Sequence, residues 1–207
     1  MRVGVVADTH WPEFMDELPE RLFRALEGCE LILHAGDVGG QETLDRLRQV
    51  APVVAVLGDH DRGLNLPLER TVEIEGRRVA IVHGNRSRLI EEPVTLLGTL
   101  SLGFLWPQPG LARSLWSRFP EADVIVYGHT HVPRVERWDG RLLFNPGAVY
   151  QTDPGAVAWR LANQPGWFEW SWLQVIRHRR RFVEPSIGIL EFGADAVRAR
   201  IVGLGSG

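Results

Sequence analysis

Histidine and aspartate side chains are concentrated in five short clusters, each of which follows a predicted β-strand. The clusters are Asp8-Thr9-His10, Gly36-Asp37, Gly58-Asp59-His60-Asp61, His83-Gly84 and Gly128-His129-Thr130-His131. Five of the seven histidines of the chain lie in them. One such cluster is more often a loop cap, but five in the same position require another explanation. Carboxyl and imidazole groups are costly to bury unpaired, and a divalent metal ion compensates for their desolvation.

The clusters supply more candidate ligands than one ion needs. Two ions about 3.5–4 Å apart, bridged by a carboxylate, would use all of them. Mixed imidazole and carboxylate ligands suit Mn, Fe, Zn or Co better than Ca or Mg alone. This ligand set favours a two-metal hydrolase over a redox site. The candidate ligands are Asp8, His10, Asp37, Asp59, His83, His129 and His131.

The elements that position these clusters change in character along the chain. Apolar β-branched runs and helical periodicity predict a β-α-β-α-β order in the first half, with strands at residues 2–7, 30–34 and 52–57 and helices at 18–26 and 41–50. The second half predicts hairpins at 71–82 and 135–144, a helix at 111–119, a strand at 123–127 and a strand pair at 187–202. We expect an α/β fold of two mainly mixed sheets packed face to face, with flanking helices. Ligands gather at the carboxyl ends of strands in such sheets.

Composition excludes several other functions. The chain has 207 residues, 44% of them hydrophobic, and a formal charge of −3, which speaks against a stable nucleic-acid complex. All 23 cationic residues are arginine, which excludes a Schiff-base or P-loop lysine. One cysteine, Cys29, excludes an internal disulfide and fits a cytoplasmic location. No apolar run is long enough to predict a transmembrane segment.

Two segments fit the predicted single domain of residues 1–207 poorly. One is residues 93–110. The other is an insertion at about residues 157–184, which is rich in tryptophan and arginine. The insertion is compatible with a homodimer interface, an anionic membrane surface, single-stranded nucleic acid, or a lid that covers extra core and leaves residues 177–181 solvated. The homodimer and the lid are favoured.

The ordered set of clusters resembles the calcineurin-like metallophosphoesterase superfamily. Asn145-Pro146-Gly147-Ala148 also resembles a motif of its branch of small phosphodiesterases. The resemblance spans about residues 1–150 and 185–203, and it implies a four-layer αββα sandwich. It further implies one metal ion on Asp8, His10 and His131, a second on Asp59, His83 and His129, and Asp37 as the bridge.

The resemblance implies hydrolysis of a small phosphate monoester or diester. A hydroxide between the two ions would attack phosphorus, with Asp37 holding the ions together and His60 donating a proton to the leaving group. Mn²⁺ is the favoured metal, and Fe, Zn, Ni or Co are alternatives. Asp59 stands where the family usually has Asn. The branch also contains trafficking scaffolds with degraded catalysis, so a non-catalytic binding scaffold is the main alternative. His60 favours the enzyme, and the charge of −3 disfavours a nuclease.

Five further residues adjoin the clusters. Arg62 and Arg86 are candidates for gripping a phosphate through the guanidinium, or they are solvated loop residues. His34 would orient the site from behind the ligands, or it is a packed, hydrogen-bonded histidine. Asp61 would hold the turn that aims His60 or only cap that turn, and Asn145 would contact the site or form a turn with Pro146.

Overall fold

The computed structural model describes residues 1–84, 93, 96–101, 110–151, 154–163, 166–178 and 183–205. The chain forms two compact units. The first comprises Met1–Gly84, Ala112–Tyr150 and Glu184–Gly207, and the second comprises Asn85–Leu111 and Gln151–Val183. A single domain over residues 1–207 therefore stays a prediction.

The first sheet is built from the alternating strands and helices at the start of the chain. These are β1 (Arg2–Val6), α1 (Glu20–Leu26), β2 (Leu31–His34), α2 (Gln41–Arg48) and β3 (Val53–Ala55). The three strands pair in parallel, as helical crossovers require. The antiparallel strands β9 (Ser186–Phe192) and β10 (Val197–Gly203) complete the order β10-β9-β1-β2-β3. The predicted β-α-β-α-β order is confirmed.

The second sheet combines parallel central strands with antiparallel edges. Its strands are β4 (Glu69–Ile74), β5 (Arg77–Val82), β6 (Val124–Tyr127), β7 (Arg134–Trp138) and β8 (Arg141–Asn145), and α3 (Leu111–Arg118) precedes β6. The sheet order is β4-β5-β6-β8-β7, with β5, β6 and β8 parallel. Asp139 and Gly140 both have positive φ, 50° and 72°, at the turn between β7 and β8. Such turns match the twist of the strands they join.

A buried apolar core joins the two sheets. Alternate residues of the first sheet, such as Val3 and Val5, form one cluster with Ile81, Val126 and Phe144 of the second. The opposite face of the first sheet packs against the leucines of α1 and α2. The predicted class, two mixed sheets face to face with flanking helices, is therefore confirmed.

The second unit contains two helices from the predicted insertion. These are α4 (Pro154–Ala162) and α5 (Trp167–His178), which pack against each other. Leu173 and Val175 are buried, but Trp159, Trp167 and Trp170 are 67%, 76% and 42% exposed. These three tryptophans are surface residues, and the lid and the homodimer interface both stay predictions. Among the described residues, no helix has the length and apolar character needed to cross a bilayer.

One glycine sets how closely the two sheets pack. Gly188 of β9 pairs with Val5 on one side and Ile201 on the other. A Cβ at this position would lie 2.2 Å from Cε1 of Phe144, whose ring is fully buried. The missing side chain therefore makes room for an aromatic ring of the opposite sheet.

Gly188→Ala should lower the free energy of unfolding by about 1–3 kcal/mol, because the new methyl group must displace the Phe144 ring in a filled core. Urea denaturation measures the change. Gly193→Ala is the matched control, since its Cβ would meet nothing closer than the Ala196 carbonyl oxygen at 3.4 Å. Equal effects of the two substitutions would contradict a packing role for Gly188.

Candidate metal centre

The five polar clusters follow the carboxyl ends of β1, β2, β3, β5 and β6. The first three strands are parallel neighbours in one sheet, and the last two are parallel neighbours in the other. In each sheet, the loops that carry the polar clusters therefore lie at the same edge. Side chains from the two sheets meet there, which places all seven predicted ligands in one region.

A first group of ligand atoms comes from Asp8, His10 and His131, which lie within 4.8 Å of one another. Nε2 of His131 is 3.5 Å from Oδ1 of Asp8. Asp8 is fully buried, and its two carboxylate oxygens accept the backbone N–H of His129 at 3.1 and 3.0 Å. This group joins the loop after β1 to the loop after β6.

A second group comes from Asp59, His83 and His129, whose ligand atoms also lie within 4.8 Å of one another. Nδ1 of His129 is 3.4 Å from Oδ2 of Asp59. His83 is buried, whereas the side chains of His129 and Asp59 are 28% and 38% exposed. One side of this group is therefore open to solvent.

Asp37 lies between the two groups. Its Oδ2 is 3.5 Å from Nε2 of His10 in the first group and 3.4 Å from Nε2 of His83 in the second. Its Oδ1 accepts the backbone N–H of His60 at 2.9 Å. Asp8, Asp37 and His83 also form a set within 4.8 Å of one another. A single carboxylate oxygen thus faces both groups.

The backbone is unusual at most of these positions. Asp8, His10, Asp37, His129 and His131 all have φ between 51° and 66°. Residues other than glycine rarely adopt this left-handed conformation, and it clusters at functional sites. The backbone N–H groups of Thr9 and His10 both donate to the Asp37 carbonyl oxygen, at 2.8 and 3.1 Å. These bonds lock the loops after β1 and β2 together.

The backbone of Gly58 passes so close to the candidate ligand Asp37 that only glycine fits at this position. A Cβ at this position would lie 2.1 Å from Oδ1 of Asp37 and 2.2 Å from its backbone nitrogen. The loop after β3 can pass Asp37 only without a side chain here. The glycine before Asp59 in the sequence is therefore part of the site.

Burial shifts the pKa values of the acidic and imidazole groups. It raises the pKa of Asp8 to about 8 and lowers the pKa of His10 to about 4. Burial alone would lower the pKa of His83, but the close contact of its Nε2 with the Asp37 carboxylate and the charges of Asp8 and Asp37 outweigh burial and raise the pKa to about 9. Burial would raise the pKa of Asp37, yet His83 and the His60 N–H hold it well below its usual range.

The donor set suits divalent metal ions. Ligand atoms that share an ion at about 2.0–2.2 Å must lie roughly 3–4 Å apart, as do the imidazole nitrogens and carboxylate oxygens of this site, at 3.4–3.5 Å. Nδ1 of His83 donates to the Ala35 carbonyl oxygen at 2.8 Å, which turns Nε2 towards Asp37. Within the described part of the chain, His10 Nδ1 and His83 Nε2 are buried without a hydrogen-bond partner. Cations would offset the desolvation of Asp8 and Asp37.

A cleft of about 480 Å³ opens beside the second group. Exposed His60 and Arg62 line it together with Asp59, Glu13, Pro12 and Gly39. The structure thus places the predicted proton donor and one predicted phosphate-binding residue in the same space. Arg86 lies outside the described residues.

Three predicted supporting residues stabilise the loops and do not join the ligand groups. Asp61 accepts the backbone N–H of Gly39 at 3.0 Å and of Gly58 at 2.8 Å, which ties two loops together. The Asn145 amide donates to the Gly128 carbonyl oxygen at 2.9 Å and its oxygen accepts the Gly147 N–H at 2.9 Å. Fully buried His34 bonds to the Thr9 hydroxyl at 2.9 Å.

Sequence reasoning missed three residues at the site. A ligand atom of Glu13 lies within 4.8 Å of those of His10 and His60. The rings of Phe14 and Tyr150 lie beside His10, with centroids 5.1 and 5.9 Å from its ring. The only signal was position in the chain, just after the first cluster and just after the Asn145-Pro146-Gly147-Ala148 motif.

The sequence of this chain is similar to those of known proteins. Residues 1–160 match the family described as the calcineurin-like phosphoesterase superfamily domain. The chain belongs to this superfamily. A probable metallophosphoesterase of Methanothermobacter thermautotrophicus is 36% identical over 166 residues, covering 78% of this chain and 86% of that protein. One of Methanocaldococcus jannaschii is 36% identical over 149 residues, covering 72% and 68%. Membership supports metal-dependent phosphoester hydrolysis as the general reaction.

Structural similarity to solved proteins with the same fold extends over nearly the whole chain. Vps29 of Entamoeba histolytica, in a structure with Zn²⁺, superposes with a TM-score of 0.63 at 20% identity, covering 99% of this chain and 100% of that one. An archaeal phosphodiesterase superposes with a TM-score of 0.55 at 20% identity, covering 98% and 100%. At this identity the likeness concerns the fold.

The raised pKa values of Asp8, about 8, and His83, about 9, predict how stability depends on pH without metal. The folded protein holds protons there that the unfolded chain has released. The free energy of unfolding of chelator-treated protein should therefore fall as the pH rises from about 7 to about 9. Bound divalent ions take the place of these protons, so metal-loaded protein should show a weaker fall.

Urea denaturation at both ends of this pH range, with chelator and with Mn²⁺, provides the measurement. Asp8→Asn is the informative variant, because a neutral amide cannot titrate and should reduce the fall. A free energy of unfolding that rises with pH in chelator-treated protein would contradict the assignment.

Proposed function

We propose that the seven candidate ligands hold two divalent metal ions and that the protein hydrolyses small phosphate esters at this centre. Mn²⁺ is the favoured metal, with Fe, Zn, Ni or Co as alternatives. The observation that carries the proposal is the position of Asp37, whose Oδ2 lies 3.5 Å from His10 Nε2 and 3.4 Å from His83 Nε2. Asp37 is the natural bridging ligand, since one oxygen reaches both groups.

In this proposal the first ion is held by Asp8, His10 and His131, and the second by Asp59, His83 and His129. Asp59 adds a full negative charge where the family usually has a neutral amide. Its carboxylate oxygen is still a suitable ligand for Mn²⁺ or Zn²⁺. The partial exposure of Asp59 lets water screen the extra charge.

Two divalent ions, when bound, lower the pKa of water and offset the charge of phosphoryl oxygens. The chain supplies the remaining functions. His60 lies at the cleft, with its backbone fixed by the hydrogen bond to Asp37, and donates a proton to the departing oxygen. Arg62 in the same cleft offers two parallel N–H groups to phosphate oxygens. These residue roles are compatible with phosphate monoesters and with phosphate diesters.

Reconstituted protein should contain two ions of Mn²⁺ per chain by elemental analysis. His131→Ala and His129→Ala should each lower the content towards one, because each removes a ligand from a different group. Asp37→Ala should reduce retention of both ions. Truncating a ligand removes a charge-assisted contact, and we expect at least a tenfold loss in affinity for the ion concerned.

His60→Asn is the matched control, because His60 lines the cleft but belongs to neither group. It should keep two ions per chain. One ion in the unmodified protein, or equal content in all variants, would exclude the two-ion assignment. Two bound ions without turnover of bis-nitrophenyl phosphate would favour the non-catalytic binding scaffold.

His60→Asn should lower kcat for esters with poor leaving groups by about 10²–10⁴, because these need a proton in the transition state. For nitrophenyl esters, whose leaving group departs as an anion, the loss should be much smaller. Steady-state kinetics with both ester types gives the comparison. Metal content should stay at two ions per chain, and an equal loss for both ester types would exclude the proton-donor role.

A cytoplasmic location and a homodimer through residues 157–184 are further proposals. The buried thiol of Cys29 and the exposed tryptophans of α4 and α5 support them. Aromatic residues and arginine are enriched at protein interfaces.

A further inference from the structure

Two aromatic rings without a role in metal binding lie at the candidate metal centre, Phe14 beside the proposed proton donor His60 and Tyr150 beside Phe14. The centroids of Phe14 and Tyr150 are 5.4 Å apart at an interplanar angle of 37°. Phe14 is also 6.0 Å from the His60 ring, in an edge-to-face arrangement at 73°. Tyr150 is 5.9 Å from the His10 ring. The two rings thus border the ligand groups on the side of His60.

The position of Phe14 is fixed by hydrogen bonds in its loop. Its backbone N–H donates to the His10 carbonyl oxygen at 2.9 Å. Nε1 of Trp11 donates to the Asp16 carbonyl oxygen at 3.1 Å, and the Thr43 hydroxyl donates to the Trp11 carbonyl oxygen at 3.0 Å. Because His10 is a candidate ligand, the loop that carries Phe14 is tied directly to the metal centre.

Phe14 is nevertheless 44% exposed. A phenylalanine that served only to fill the core would be buried, as Phe144 is. The adjacent residue Glu13 and the nearby Arg62 line the cleft that also contains His60. The cleft is therefore lined by charged groups, and the exposed ring of Phe14 lies next to His60 at its edge.

We infer that Phe14 and Tyr150 form an aromatic platform that binds a planar ring in the leaving group of the substrate. Stacking on such a surface is favourable and tolerant of ring identity, because every aromatic ring has a π-face. The site would thus prefer phosphate esters of aryl alcohols or nucleosides over esters of small aliphatic alcohols. This inference rests on the proposed function.

Binding to Mn²⁺-loaded protein, measured by calorimetry, tests the platform without requiring turnover. Phenylphosphonate and methylphosphonate carry the same phosphonate group and differ in the ring. Unmodified protein should bind phenylphosphonate about tenfold more tightly, as one stacked ring predicts. Phe14→Leu keeps an apolar side chain without a ring and should reduce this ratio to about one to two. Phe14→Trp should retain it.

Methylphosphonate serves as the internal control, since its affinity depends on the metal centre and should be the same in all three proteins. Tyr150→Leu should lower the ratio as well. Adenosine monophosphate and ribose 5-phosphate form a second pair. A preference for the nucleotide that is lost in Phe14→Leu assigns the platform to nucleobases, and a preference in the phosphonate pair alone assigns it to aryl esters.

Equal affinity for the two phosphonates in unmodified protein, together with equal affinity for the nucleotide and the sugar phosphate, would overturn the platform and leave the proposed function standing. A preference that survives in Phe14→Leu would do the same. Failure of every compound to bind metal-loaded protein would instead remove the proposed function, and the inference with it.

Discussion

Asp8 and Asp37 carry two carboxylates into the interior of the protein, where bulk water cannot solvate them. The imidazoles of His10 and His83 compensate only in part, because each lies beside Asp37 at 3.4–3.5 Å and His10 itself favours the neutral form. Buried charges of this kind persist when something positive stands between them. The proposed divalent ions would supply this positive charge, which would account for the convergence of so many polar side chains on one place.

The fold brings these side chains together by joining two sets of parallel strands, one from each sheet. The first sheet supplies Asp8, His10, Asp37 and Asp59, and the second supplies His83, His129 and His131. Neither sheet holds a complete group by itself. Core packing between the sheets, including the notch that Gly188 leaves for Phe144, therefore fixes the distances between ligands as well as contributing to stability.

Much of this arrangement was predictable, since parallel strands bring their carboxyl ends to one edge and residues such as Asp8 and His83 have few other reasons to follow them. The division of the candidate ligands into two groups was predicted only from the resemblance to a known family. The spacing of residues along the chain does not indicate how far apart loops of different sheets lie. The left-handed backbone conformation of Asp8 and His131 could not be predicted from their residue types. In the sequence, Phe14 and Tyr150 look like ordinary hydrophobic residues, and only the three-dimensional structure places Phe14 beside His60 and Tyr150 beside Phe14.

The two carboxylate oxygens of Asp37 make different contacts. Oδ2 faces His10 and His83, while Oδ1 holds the backbone of His60. A rotation of this carboxylate would therefore change its contacts with His10 and His83 together with the backbone position of His60, the proposed proton donor. A substitution that reorients the Asp37 carboxylate would therefore disturb the candidate ligands His10 and His83 and the backbone position of His60 at the same time.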